Sequence, residues 1–464
     1  MLRKIRFWLM IALVFVAPLS LHPSVSLPIY NFSSFRIGLY QILAIFFVVS
    51  TITLVWQNSW LFRDRRTLWV SATLAITLVW GVVSTLVLPR TLLYSASLLA
   101  LIAIGISAYL VFLELNEGRR RLIILSVLWS GVVFGAFAVG QLLLITLGVL
   151  PTSMLCSGCT SGVFGFPRVN LTAAEPQFLA NSLLPAFFVA LAFFRKIQPR
   201  WLPVLSLVFT SIAISITFSR GAYLAIGVAL VAYLLVLGIE RNLGAIKRLT
   251  GPIAIVSASF LIGWGLLIGS ASIIYSETPN ITYNATVSAL NHLSLNMINI
   301  PEIHDLTPTT IGHSPNPIES DLVEYFDPQG FVEASSGDRL SAASTAIAVW
   351  NDTPLSILFG VGMGNLGAYA QQNIMRDLPR DLTVYIFYIL ILSELGLVGL
   401  ILLVLTLAIP LFYSHKQLSQ PWHALAFTLT LAFAAQFWFF GSYINIIYIP
   451  LWTGIIYGIY ANKR

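Results

Sequence analysis

Apolar residues come in long runs along most of the chain, at about 7–22, 37–56, 67–88, 91–113, 122–150, 177–194, 201–218, 221–239, 252–275, 384–412, 423–441 and 446–461. About twenty such residues make a helix that crosses a bilayer core. The pattern therefore predicts an all-α polytopic membrane protein with about twelve transmembrane helices. The basic residues Arg3, Lys4 and Arg6 ahead of the first run give it the look of a signal peptide, but no small-residue cleavage site follows Leu21. The run reads as a retained first helix.

One stretch, about 276–383, breaks the pattern and divides the chain into helices within 1–275, a large loop subdomain over 276–383, and further helices within 384–464. The first half of the loop, from Glu277 to Val332, is rich in Asn, Pro, Ser and Thr and reads as irregular. The second half is regular. From Ser336 the spacing predicts a helix with Arg339, Ala343, Ala346 and Trp350 on one face, ended by Pro354. The glycines of Gly360-Val361-Gly362-Met363-Gly364 then suit a tight turn before a helix over about 366–375. Such a turn either cradles phosphate or simply joins two packed helices.

Composition agrees with the pattern. The 464 residues are 58% apolar and only 9% charged, against roughly a quarter charged in soluble proteins. Lys and Arg cluster at Arg3/Lys4/Arg6, Arg63/Arg65/Arg66, Arg119/Arg120/Arg121, Arg195/Lys196/Arg200, Arg241/Lys247/Arg248, Lys416 and Lys463/Arg464. Alternating helices bring every cluster to one side, which the positive-inside rule makes the cytoplasm for both termini and puts the large loop outside. The net charge of +7 is thus mostly a topology signal, and nucleic acid need not be invoked.

The seven basic residues left for the other side, Arg36, Arg90, Arg168, Arg220, Arg339, Arg376 and Arg380, are all arginines. Topology disfavours them there, and arginine suits bidentate phosphate binding. Snorkelling at helix ends accounts for Arg36 and Arg90. Arg220 stands in Ser219-Arg220-Gly221, where two apolar runs turn, and an ionisable group at such a place is by default a functional candidate. Arg339 is a cation in a loop of twelve acidic and three basic residues. That lobe repels polyanions at large, so a bound anion needs a local arginine pocket.

A second outer loop, about 151–176, contains both cysteines as Cys156-Ser157-Gly158-Cys159. Two cysteines are too few for structural zinc, and in an oxidising compartment a local disulfide is the expected state. Glu175 precedes a helix start, where a carboxylate either complements the helix N-terminus or handles substrate. His22, His292, His304, His313, His415 and His423 show no ligand spacing. His304 and His313 belong to the outer lobe, as solvated residues or as a general base. The sequence contains no standard phosphate loop, metal-binding His/Glu motif or nucleophile elbow, so neither a metal nor another cofactor is expected.

Three local patterns together resemble the O-antigen ligase and polymerase superfamily of bacterial envelope glycan assembly. They are Ser219-Arg220-Gly221 opening a helix; Arg339 upstream of Trp350, Pro354 and Gly360-Val361-Gly362-Met363-Gly364; and the helix entry from Ile386 through Glu394-Leu395-Gly396 to Gly399. The resemblance implies a GT-C-like membrane fold with a partly helical periplasmic loop in the inner membrane. It also implies transfer of a glycan from undecaprenyl diphosphate, with inversion at the sugar and no metal. Ligases of this kind carry an essential histidine about nine residues before the Glu-Leu-Gly; here that position is Tyr385. The departure weighs against ligase activity, because the residue expected to help activate the acceptor is missing.

The expected function is therefore a polymerase of lipid-linked repeat units of O-antigen or exopolysaccharide. Arg220 and Arg339 bind the departing diphosphate and Arg168 is a third contact. Glu175, His313 and Asp381, in that order, are candidates to take the acceptor proton, Tyr385 orients the acceptor, and Trp350 is a residue on which a sugar can stack. The partners implied are undecaprenyl-diphosphate-linked glycans, membrane lipid and a protein that sets chain length. Two other readings stay open: a ligase that transfers glycan to lipid A core or protein, and a transporter or flippase without chemistry.

Overall fold

The computed structural model describes residues 2–19, 24–29, 32–57, 92–150, 162–163, 166–173, 175–276, 279–293, 300–301, 331–374, 384–439 and 447–461. The apolar runs are helices. In chain order they are α1 (Leu2–Val16), α2 (Leu39–Gln57), α3 (Leu92–Leu113), α4 (Glu117–Thr146), α5 (Pro176–Ala192), α6 (Trp201–Ile216), α7 (Arg220–Ile239) and α8 (Leu243–Ile274). The stretch 276–383 contributes α9 (Pro279–Leu293), α10 (Phe331–Trp350), α11 (Pro354–Phe359) and α12 (Leu366–Asn373). Then come α13 (Phe387–Ser414), α14 (Pro421–Gln436) and α15 (Tyr448–Ala461). By length and composition α4, α7, α8 and α13 can each cross a membrane. The protein is a multi-pass membrane protein. The run at 67–88 lies outside the described residues.

Several helices start earlier than their apolar runs because polar residues cap and continue them. The Asn116 side chain accepts from the Arg119 amide and opens α4 ahead of its arginine triplet; the Asn242 side chain accepts from the Ala245 amide and opens α8. Helix α1 also begins in its basic flank, and stops at Val16, short of Pro18. It is packed into the bundle: Met10 and Leu13 are buried, and Ser126 and Ser130 of α4 donate to the carbonyls of Ile11 and Phe15.

Helices dominate, as expected of an all-α chain. Two short antiparallel pairs are present, β1 (Ser24–Ile29) with β2 (Phe32–Gly38), and β3 (Gly162–Val163) with β4 (Phe166–Pro167). Both lie between helices, where a segment with no helical partner satisfies its backbone by pairing with itself. Helices approach closely where side chains are small. A Cβ on Gly454 of α15 would stand 2.1 Å from the Gly105 carbonyl of α3, and one on Gly135 of α4 would stand 2.7 Å from the Phe209 backbone of α6. In lipid this contact, rather than exclusion of water, holds helices together.

Candidate functional site

The α6–α7 corner is built from Thr217, Phe218 and Ser219. Phe218 has φ of 52°, a left-handed conformation uncommon for a bulky residue, so its surroundings must hold it there. It is buried, stacks on Phe166 with ring centroids 6.1 Å apart, and meets Trp264 at 5.4 Å. The Tyr223 hydroxyl, one turn into α7, donates to the Ser215 carbonyl at 2.6 Å. Arg168, just after β4, donates from Nε to the Thr217 carbonyl at 3.1 Å, satisfying a carbonyl at the end of α6. Arg168 thus ties its loop to the corner from which Arg220 emerges.

Arg220 is the first residue of α7, half-buried, at the positive end of the helix dipole. Its neighbour Gly221 lets two other elements come in: a Cβ there would lie 2.9 Å from Phe439 Cβ and 3.4 Å from Gln177 Nε2. Gln177, in the first turn of α5, donates from Nε2 to the Phe439 carbonyl at 2.5 Å, just past α14. The starts of α5 and α7 and the end of α14 therefore converge on one place. Asn181 sits one turn further along α5 on the face of Gln177. It is buried, and its amide has no hydrogen-bond partner among the described residues.

Arg339 is carried by α10. Helix α10 buries Ala343, Ala346 and Val349, and Arg339 lies with its guanidinium 5.1 Å from the centre of the Tyr385 ring, a cation–π contact. The charges of Arg220 and Arg339 act on each other. Tyr385 is partly exposed and leads into α13, where the Phe387 amide donates to the Phe437 carbonyl and the two rings stack at 4.6 Å. The tyrosine, and the arginine resting on it, are thereby fastened to the end of α14.

The glycine turn has a structural occupation. Helix α13 is broken at Gly396, whose φ of 67° and ψ of −169° belong to a region open essentially to glycine alone. The break frees carbonyls that lipid cannot satisfy, and the turn supplies the donors: the amides of Val361 and Gly362 reach the carbonyls of Ser393 and Glu394 at 3.0 and 2.9 Å. Glycine on each side permits this approach. A Cβ on Gly360, at φ of 73°, would stand 2.2 Å from the Glu394 carbonyl carbon, and one on Gly396 would stand 2.2 Å from the Leu358 oxygen. Of the two uses open to the glycine turn, the packing one is realised here. Upstream, Thr353 and Ser356 form a capping box on α11, and the Asp352 carboxylate accepts from the Tyr369 hydroxyl at 2.6 Å, which pushes that phenol up to about 12.

Arg168 and Arg220 are thus brought to one corner, and Arg339, which rests on Tyr385, to within electrostatic reach of Arg220. Trp350 lies elsewhere on α10 and donates from its indole to the Ile357 carbonyl at 3.0 Å. Glu175 occupies the cap position of α5, exposed and without a side-chain capping bond. His313, Asp381, Cys156 and Cys159 lie outside the described residues. Sequence reasoning passed over Gln177, Asn181 and Phe439. For the first two the available signal was an amide at i and i+4 in an otherwise apolar run; for Phe439 there was none.

Residues 205–404 match the family model described as O-Antigen ligase. Over this segment, less than half of its length, the chain is similar to that family of glycan-assembly proteins. The match takes in Arg220, Arg339, the glycine turn, Tyr385 and the break at Gly396, and leaves out Arg168, Glu175 and Gln177. No curated protein matched the chain.

Proposed function

We propose that the chain is a glycan polymerase that works at the periplasmic face of the inner membrane, with its termini in the cytoplasm. It transfers a growing chain from undecaprenyl diphosphate to the end of a lipid-linked repeat unit. The observation that carries this reading is the Arg220–Arg339 juxtaposition. Arg220 opens α7 where the starts of α5 and α7 and the end of α14 meet, and Arg339 rests on a tyrosine fastened to that same end of α14, an arrangement of two guanidinium groups that suits a diphosphate.

In the reaction a hydroxyl oxygen of the acceptor sugar attacks the anomeric carbon of the donor. The bond from that carbon to the diphosphate oxygen breaks, and its electron pair leaves on undecaprenyl diphosphate. Arg220 and Arg339 stabilise the charge that develops there, with the guanidinium fork suited to phosphate oxygens. The acceptor proton passes to a base, for which Glu175 is the candidate among the described residues: its carboxylate is exposed at the start of the helix that carries Gln177. Arg168 holds the corner through Thr217 and stands beside the place where the glycan or the diphosphate would lie.

Tyr385 in place of the expected histidine favours the polymerase over the ligase, and chain-length profiles separate the two. A strain without the protein accumulates single repeat units on the final acceptor if it is a polymerase, and finished polymer on undecaprenyl diphosphate if it is a ligase. Complementation by an Arg220→Lys variant tests the site: it keeps the charge and loses the fork, so long chains should be depleted at normal protein level. Wild-type chain lengths from this variant would remove Arg220 from the mechanism.

A further inference from the structure

The same helices that bear the arginine site carry a second feature at their opposite ends. There, a cavity of about 640 Å³ opens between the end of α5, the α7–α8 corner and the start of α14, a volume within the range of small-molecule sites. Arg195, Lys196 and Arg248 line it. Helices α8 and α14 both begin at it, so two helix N-termini add their positive ends to three cations. Among the described residues no carboxylate lines the cavity; Glu240, at the end of α7, is close enough for its charge to be felt by Tyr233. The rest of the wall is apolar, with Leu191, Tyr233 and Leu249 among its residues.

We infer that this cavity is a binding site for the phosphate headgroup of an anionic phospholipid of the cytoplasmic leaflet. Arg195, Lys196 and Arg248 hold the phosphate and the apolar wall holds the upper acyl chain. The charge asks for an anion, and two other features choose a lipid over a free one. The cations come from segments that the positive-inside pattern sets at the inner membrane surface, where anionic headgroups are concentrated. The wall below them is built from α5, a shorter apolar helix, and from α7 and α8, which are long and apolar enough to cross a membrane. A soluble phosphate would leave that wall uncovered. The inference requires the topology proposed above but not glycan transfer.

The test uses full-length protein in a neutral detergent, titrated with dioctanoyl-phosphatidylglycerol, dioctanoyl-phosphatidylcholine or inorganic phosphate, with thermal unfolding as the readout. Phosphatidylglycerol should raise the unfolding temperature in a saturable way, and the other two should not. The Arg195→Gln/Lys196→Gln/Arg248→Gln variant should lose on the order of a hundredfold in apparent affinity, at roughly fivefold per basic residue near a lipid surface. Arg200→Gln/Lys247→Gln removes cations of the same face that do not line the cavity and should keep the wild-type response. An unchanged titration in the triple variant, or an equal response to inorganic phosphate, would overturn the lipid site. Because the readout is binding, loss of polymerase activity cannot imitate either result.

Discussion

Replacing Gly360 by alanine tests the docking of the glycine turn against the broken helix. Its backbone, at φ of 73° and ψ of −174°, lies where a residue with a Cβ is strained by about 1–3 kcal/mol. The new methyl would stand 2.2 Å from the Glu394 carbonyl carbon and 2.5 Å from the Leu395 nitrogen, both backbone atoms that cannot swing aside. The turn must back away, which breaks the Val361–Ser393 and Gly362–Glu394 hydrogen bonds, at roughly 0.5–1.5 kcal/mol each. The sum is about 2–6 kcal/mol. At roughly 2–4 °C per kcal/mol for a larger domain, the unfolding temperature should fall on the order of 10 °C. Gly265→Ala is the control: it lies in α8, a Cβ there meets nothing within 4 Å, and a helical Gly→Ala change stabilises by roughly 0.5–1 kcal/mol. Thermal unfolding of the purified variants, followed by tryptophan fluorescence, gives the answer. If Gly360→Ala melts with the wild type, the docking does not hold the break, and the packing account of both motifs is wrong.

Two further substitutions address the arginine corner. Tyr385→Phe keeps the ring under Arg339 and should leave the donor KM near wild type, whereas Tyr385→Ala removes a partly exposed cation–π contact of about 0.5–1 kcal/mol and should raise KM roughly two- to fivefold; equal losses in both would mean that the hydroxyl, not the ring, is what matters. Asn181→Leu replaces a buried amide without described partners by an apolar group of similar volume and should leave the unfolding temperature unchanged or raise it; a fall of several degrees would show that the amide is satisfied by a group of the protein.

The sequence made the helices legible because lipid demands long apolar runs, and the α6–α7 corner at 217–219 falls within two residues of where the runs break. It could not show that helix α13 breaks at Gly396, since the glycine stands between Leu395 and Leu397 inside a long apolar run and only contact with the glycine turn distinguishes it. Arg220 and Arg339 stood out as cations on the side that topology keeps poor in charge. Their closeness was not legible: it depends on how α10 docks, with Arg339 on a tyrosine fastened to α14. Gln177 was hidden for a related reason. Its bond to the Phe439 carbonyl spans 262 residues of sequence, and no local pattern records such a pairing.

If Arg220 and Arg339 together receive a lipid diphosphate as a glycan is transferred, the reaction itself will show it. The most direct measurement incubates purified protein with a synthetic prenyl-diphosphate-linked repeat unit and follows product chain length together with released prenyl diphosphate. Longer chains should form, with one prenyl diphosphate released per unit added. The rate should drop on the order of a hundredfold or more for Arg220→Gln and for Arg339→Gln, the scale on which loss of a group that stabilises developing charge is felt. Unaltered rates in both variants, or a wild-type protein that binds the donor and never lengthens it, would contradict this role of the two arginines.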